Sequence, residues 1–137
     1  MKKIVSLILI ALVGVLCASA RAKAGQKVGV EFETMTYEFG NISENDAPVT
    51  HVFSFTNTGA TPVAILWAKS SCGCTQPEYD RKPVLPGQKA TVRVTFNPKG
   101  QAGEVNKDIR LRMTNGNKKS EEIILRLKGA VVPKSKK

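Results

Sequence analysis

Cys72-Gly73-Cys74 is the stretch of this chain best suited to chemistry. A pair of thiols at this spacing has several uses. In an oxidising compartment the two sulfurs pair as a disulfide. That ring closes on so few residues that it removes little chain entropy and stabilises weakly. The sulfurs can also remain two separate thiols. In the third use, which is functional, they exchange disulfides with a partner's thiols or hold a soft ion such as Cu(I). Two sulfur ligands make an incomplete zinc site. The lone histidine, His51, alternates in register with Phe53 and Phe55, which describes a partly buried strand histidine better than a metal ligand or a general base. A disulfide between Cys72 and Cys74 is therefore the leading expectation, with no metal and no cofactor. A metal site at Cys72 and Cys74 is the alternative.

Other catalytic chemistry finds little material. Glu31 and Glu33 share one face of an extended segment, as paired carboxylates would. The solvated face of an edge strand gives the same spacing, and that is the reading preferred here. There is no Gly-rich phosphate loop, nucleophile elbow or metalloprotease signature. An enzyme is not expected.

The elements that must position these residues read as strands. From Val28 to Val132 the dominant period is two rather than 3.6. Val49, Phe53 and Phe55 oppose Thr50, Ser54 and Thr56, and Ala90, Val92, Val94 and Phe96 alternate with polar residues. Ile109, Leu111 and Met113 repeat the pattern, as do Ile123, Leu125 and Leu127. Val63 to Ala68 is apolar on both faces, as a central strand would be, while Val30–Thr34 and Thr36–Phe39 are weaker candidates. All seven prolines fall where they would separate strands, and Asn115-Gly116 is a strong hairpin signal. About seven short strands with no helical stripe predict an all-β fold, a single antiparallel β-sandwich over residues 25–133.

The ends of the chain account for most of its charge. Met1-Lys2-Lys3 followed by the apolar run Ile4 to Cys17 reads as a secretory signal peptide over residues 1–24. Small residues place its cleavage after Ala20 or Ala24. Leu16 precedes Cys17 where a lipid-attachment signal has a small residue, so a lipid anchor is not expected. No later segment is long and apolar enough to span a bilayer. Residues 134–137 read as a basic disordered tail. Setting aside Lys2, Lys3, Arg21, Lys23, Lys134, Lys136 and Lys137 reduces the formal charge from +10 to +3. Basicity is thus evidence of export and solubility rather than of nucleic-acid binding. The chain also lacks the aromatic-interleaved basic stripe of single-strand readers.

Phe39-Gly40-Asn41-Ile42, then Phe53-Ser54-Phe55-Thr56-Asn57-Thr58-Gly59-Ala60-Thr61-Pro62, then Ser71-Cys72-Gly73-Cys74-Thr75, together resemble the bacterial domain of unknown function 1573. Pro86-Gly87 and Phe96-Asn97-Pro98 extend the resemblance over nearly all of the mature chain. The segment from Phe53 to Pro62 is also distantly similar to the sperm-protein and ciliary-protein sandwich domains. The resemblance implies an immunoglobulin-like fold and export, but no established activity. Most of the motif has a structural reading: Phe53 and Phe55 fill a core, and Asn57 and Gly59 fit a turn that needs side-chain capping and positive φ.

The expected function is therefore a non-enzymatic exported module, periplasmic or secreted, for protein–protein interaction or cell-envelope assembly with an unidentified envelope protein. The alternative is a small periplasmic thiol protein using Cys72 and Cys74 for redox exchange or copper. The expected contact surfaces are the first-strand region and the Ser70–Pro83 loop, which carries Tyr79, Arg81 and Lys82.

Overall fold

A computed structural model describes residues 28–117 and 119–133. The expected signal peptide with its cleavage points, Cys17 and the basic tail lie outside the described residues. Eight strands form: β1 (Val30–Phe32), β2 (Thr36–Ser43), β3 (Val49–Asn57), β4 (Ala64–Ser70), β5 (Thr75–Tyr79), β6 (Lys89–Phe96), β7 (Gly103–Thr114) and β8 (Ser120–Val132). They make two four-stranded sheets, β1-β3-β6-β5 and β2-β8-β7-β4. The chain crosses from one sheet to the other between Phe32 and Thr36. It runs antiparallel to β3 before the crossing and parallel to β8 after it. The all-β sandwich expected from the sequence is present, with one parallel pairing among antiparallel ones.

Alternation explains the core. Phe53 and Phe55 of β3 and Val92, Val94 and Phe96 of β6 face Ile109, Leu111 and Met113 of β7 and Ile123, Leu125 and Leu127 of β8, all buried. Each such side chain stabilises the fold by about 1.5–3 kcal/mol on full burial. Phe32 tilts against Phe55 with ring centroids 5.1 Å apart, and Phe39 stacks on Phe96 at 5.4 Å. Glu31, within the edge strand β1, and Glu33, just after it, are exposed, and Glu33 pairs with Lys89 at 3.1 Å.

Several local expectations are corrected. Thr75–Tyr79, read from the sequence as part of a loop, is the extra strand β5, and Pro77 lies inside it. The Asn97 amide donates to the Cys74 carbonyl, so the alternation of an antiparallel ladder turns residue 77 outward. There the missing proline N–H breaks no ladder bond, which is why an edge strand accepts proline. Conversely, β4 is an edge rather than a central strand. Its register shifts between Ile65 and Trp67, and the bulge leaves Leu66 54% exposed beside an Ile65 that is buried. The Asn115-Gly116 hairpin forms, but the connection runs from Asn115 to Lys119, and the Thr114 hydroxyl donates to the Lys119 carbonyl at 2.9 Å. Finally, the positive φ expected at Gly59 belongs to its neighbour Gly29, at 73°. A Cβ on Gly29 would lie 3.0 Å from the Gly59 Cα, so the close backbone approach needs glycine there.

Candidate functional site

The loop after β4 carries the chain from one sheet to the other, and it is pinned by backbone. Ser71 N–H donates to the Asp108 carbonyl at 3.2 Å, and Thr75 N–H donates to the Cys72 carbonyl at 3.2 Å. Asn97 N–H donates to the Cys74 carbonyl at 2.8 Å. Within this frame Cys72 and Cys74 form a disulfide, with Cα atoms 5.2 Å apart. That separation lies in the ordinary range for disulfides. The Cys74 N–H points at the Cys72 sulfur from 3.1 Å, and the Thr75 hydroxyl lies 3.7 Å from the Cys74 sulfur. Gly73 is exposed at the tip, and both cysteines are half-buried.

Cys74 lines a groove of about 320 Å³ at this end of the sandwich, with Pro48, Gly73, Gln76, Thr95, Asn97 and Lys99. Pairing of β5 with β6 puts Gln76 opposite Thr95, and the turn after β6 brings Asn97 and Lys99 to the rim. The Asn97 side-chain oxygen accepts the Lys99 N–H at 3.1 Å, which fixes that turn. Lys99 is the one formal charge among the lining residues. The arrangement offers two sulfurs, a cation and neutral polar groups, a set that fits thiol chemistry better than acid–base chemistry.

The sequence foresaw the cysteine pair but not its groove. Asn97-Pro98-Lys99-Gly100 carries a plain turn signal, and only the β5–β6 register places it beside the cysteines. Among the described residues, no group of three or more His, Cys, Asp and Glu side chains could hold a metal ion. His51 is elsewhere: its ring stacks on Tyr37 at 3.8 Å and meets Phe53 edge-on at 4.6 Å. Tyr79 is half-buried, and its hydroxyl donates to the Leu66 carbonyl at 3.5 Å, spanning from β5 to β4. Arg81 and Lys82 are exposed, in a turn where Lys82 N–H donates to the Asp80 carboxylate at 2.9 Å.

Burial pushes the His51 imidazole below its usual pKa of 6.5. The unfolded chain then binds that proton more tightly than the folded one. The stability is fully present above about pH 6.5 and falls as pH drops toward the lower folded-state value. Urea midpoints at pH 7 and pH 5 for the wild type and His51→Gln check this. The wild type should lose more between the two pH values, and equal losses would remove the histidine contribution.

This architecture is that of an immunoglobulin-like sandwich of the PapD and ASH type. The human CEP192 ASH/PapD-like domain superposes with a TM-score of 0.62 at 13% identity, over 79% of this chain and 88% of that one. A protein of unknown function from Porphyromonas gingivalis gives 0.61 at 14% identity, over 74% of this chain. The periplasmic chaperone SfaE gives 0.53 at 13% identity, covering 78% of this chain and 59% of its own. The chain spans only 46% of the Porphyromonas protein. At such identities the likeness establishes the fold. Residues 30–131 match the family described as "Protein of unknown function (DUF1573)", and the chain belongs to that family. No match was found among curated proteins. Among the described residues, no helix is long and apolar enough to cross a membrane.

Proposed function

We propose that this domain is a non-enzymatic exported module that works by protein–protein contact in the cell envelope, offering the β1–β2 edge for strand addition. The observation that carries this reading is the asymmetry of the two flanks. On one flank β1 and β2 end their sheets, and among the described residues no strand pairs with their outer sides. β2 extends for eight residues, which is long enough for main-chain hydrogen bonds to give affinity. The other flank is blunted by the outward Pro77 and by the Tyr79–Leu66 hydrogen bond. Proline and cover are the usual means of protecting an edge from unwanted pairing. Export is supported by the charged and apolar start of the sequence and by the cysteine pairing, which fits an oxidising compartment. The likeness to a periplasmic chaperone is in keeping with both points.

Photo-crosslinking residues placed singly at Thr36, Glu38, Glu78 and Arg81 test the assignment in envelope preparations. Adducts to one common protein are expected from Thr36 and Glu38 and not from Glu78. Adducts from Glu78 or Arg81 alone would move the contact to the blunted flank and reject the β2 edge.

A further inference from the structure

We propose that Cys72–Cys74 is a disulfide-exchange site, oxidising thiol pairs of envelope proteins, with Cys74 as the sulfur attacked. This goes beyond the contact reading above and concerns the groove end rather than the β1–β2 edge.

A structural staple is a poor account of this bond. The ring closes on three residues, so its entropic effect on the unfolded chain is small. The loop is held without it, by the backbone hydrogen bonds of Ser71, Thr75 and Asn97. Opening the bond therefore leaves the frame in place, which a reversible exchange site requires.

The surroundings distinguish the two sulfurs. Cys74 lines the groove, where an incoming thiolate meets the Lys99 cation and no carboxylate. Cys72 receives the Cys74 N–H at 3.1 Å, a donor that stabilises a thiolate forming there. A better-stabilised thiolate leaves faster, and the groove directs attack to the other sulfur.

The electron count follows directly. A partner thiolate attacks the Cys74 sulfur, forming a mixed disulfide, and the Cys72–Cys74 bond breaks with its electron pair left on Cys72. The partner's second thiolate attacks its own sulfur in the mixed disulfide and releases Cys74 as a thiolate. The partner ends as a disulfide and has lost two electrons and two protons. The domain ends as a dithiol and has gained them. Each oxidised domain thus oxidises one partner dithiol.

Reduced glutathione serves as the probe. The oxidised protein is mixed with it, quenched with iodoacetamide, and the adduct is located by mass spectrometry. The glutathione adduct is expected on Cys74 and the alkylated thiol on Cys72. Glutathione is an anion, so Lys99→Gln should slow its attack about threefold or more at low salt, with less effect at high salt. Lys99 is exposed, so this variant keeps the fold, and circular dichroism checks it. The urea midpoint of Cys72→Ser/Cys74→Ser should stay close to that of the oxidised wild type, because the loop frame is independent of the bond. An adduct on Cys72, an unchanged rate in Lys99→Gln, or a large loss of stability in the double serine variant would overturn the proposal. None of these outcomes bears on the Thr36 and Glu38 crosslinks, so the two readings fail separately.

Discussion

Asn57→Ala should lower the stability of this domain by about 3 kcal/mol, far beyond the loss of a single exposed hydrogen bond. The side chain is fully buried at the end of β3, and every polar atom on it is used. Its amide nitrogen donates to the Thr61 carbonyl at 2.8 Å and the Val84 carbonyl at 2.9 Å, and its oxygen accepts the Gly59 N–H at 2.9 Å. The same residue's backbone bonds to Gln88 and Gly87. One asparagine therefore joins the β3–β4 turn to the segment that enters β6, beside the Val63–Val84 bridge. Alanine removes all three side-chain bonds and takes from the Thr61 carbonyl its partner, while the Val84 carbonyl keeps the Val63 N–H and the Gly59 N–H keeps the Gly29 carbonyl. The Thr61 carbonyl left alone costs about 1–3 kcal/mol, at the lower end because Thr61 is only half-buried, and the bonds lost at Val84 and Gly59 add about 0.5–1.5 kcal/mol each. Out of a typical total of about 5–15 kcal/mol, that loss is large.

Asn57→Asp separates this account from simple loss of volume. An aspartate keeps the size but cannot donate to two carbonyls while ionised, and a buried charge raises its folded-state pKa. With the folded value above the unfolded one, the destabilisation grows as pH rises through the unfolded value near 4 and beyond. Relative to the wild type, the Asp variant should thus be weakest at neutral pH and recover part of the deficit on acidification. Urea denaturation of both variants between pH 4 and pH 7 is the measurement. An Asn57→Ala loss below about 1 kcal/mol, or an Asp variant whose deficit relative to the wild type is smaller at pH 7 than at pH 4.5, would defeat the explanation.

Much of this was legible in the sequence because burial imposes a period. Phe53, Phe55, Val92, Val94, Phe96 and the β7 and β8 residues alternate because one face of each strand meets the other sheet. What escaped was decided by neighbours that a strand pattern does not record. Val63 to Ala68 is apolar on both faces, which looks central. The bulge at Leu66 explains the surplus, by placing an extra apolar residue on an edge. Thr75–Tyr79 looked like a loop because Pro77 is incompatible with an inner strand, yet an outer position tolerates it. For the candidate site, the thiols were visible and their surroundings were not. Lys99 and Gln76 reach Cys74 only through the β5–β6 register, and the Cys74 N–H contact depends on the fold of three residues. The role of Asn57 was half legible: a turn that needs a cap was clear, but its reach to Val84, across 27 residues, was not.

Gly129→Ala is expected to destabilise by about 2–3 kcal/mol, although it adds one methyl group to a strand. Nothing in the backbone demands glycine at this position, since it is absent from the positive-φ glycines. The demand comes from across the sheet. β2 runs parallel to β8 with its register shifted between Glu38 and Asn41, and this lays the Phe39 ring directly over Gly129. A Cβ there would fall 2.3 to 2.6 Å from three ring carbons. The ring must then move, and its stack on Phe96 at 5.4 Å is lost. Such an aromatic pair is worth about 0.5–1.5 kcal/mol beyond area burial, and overpacking strain adds about 1–3 kcal/mol. If this is the cause, the penalty must depend on the ring. In a Phe39→Ala background, which is itself destabilised by the lost packing, Gly129→Ala should cost little, because the new methyl meets open space. The double-mutant cycle by urea unfolding should give a coupling of at least about 1 kcal/mol with the double variant more stable than additivity predicts. Strictly additive losses would remove the Phe39 ring as the cause, whereas a gain of stability in Gly129→Ala would leave only the entropy of the unfolded chain, which alanine reduces. The sign of the Gly129→Ala effect alone therefore decides between a packing and an entropic reason for glycine in the middle of β8.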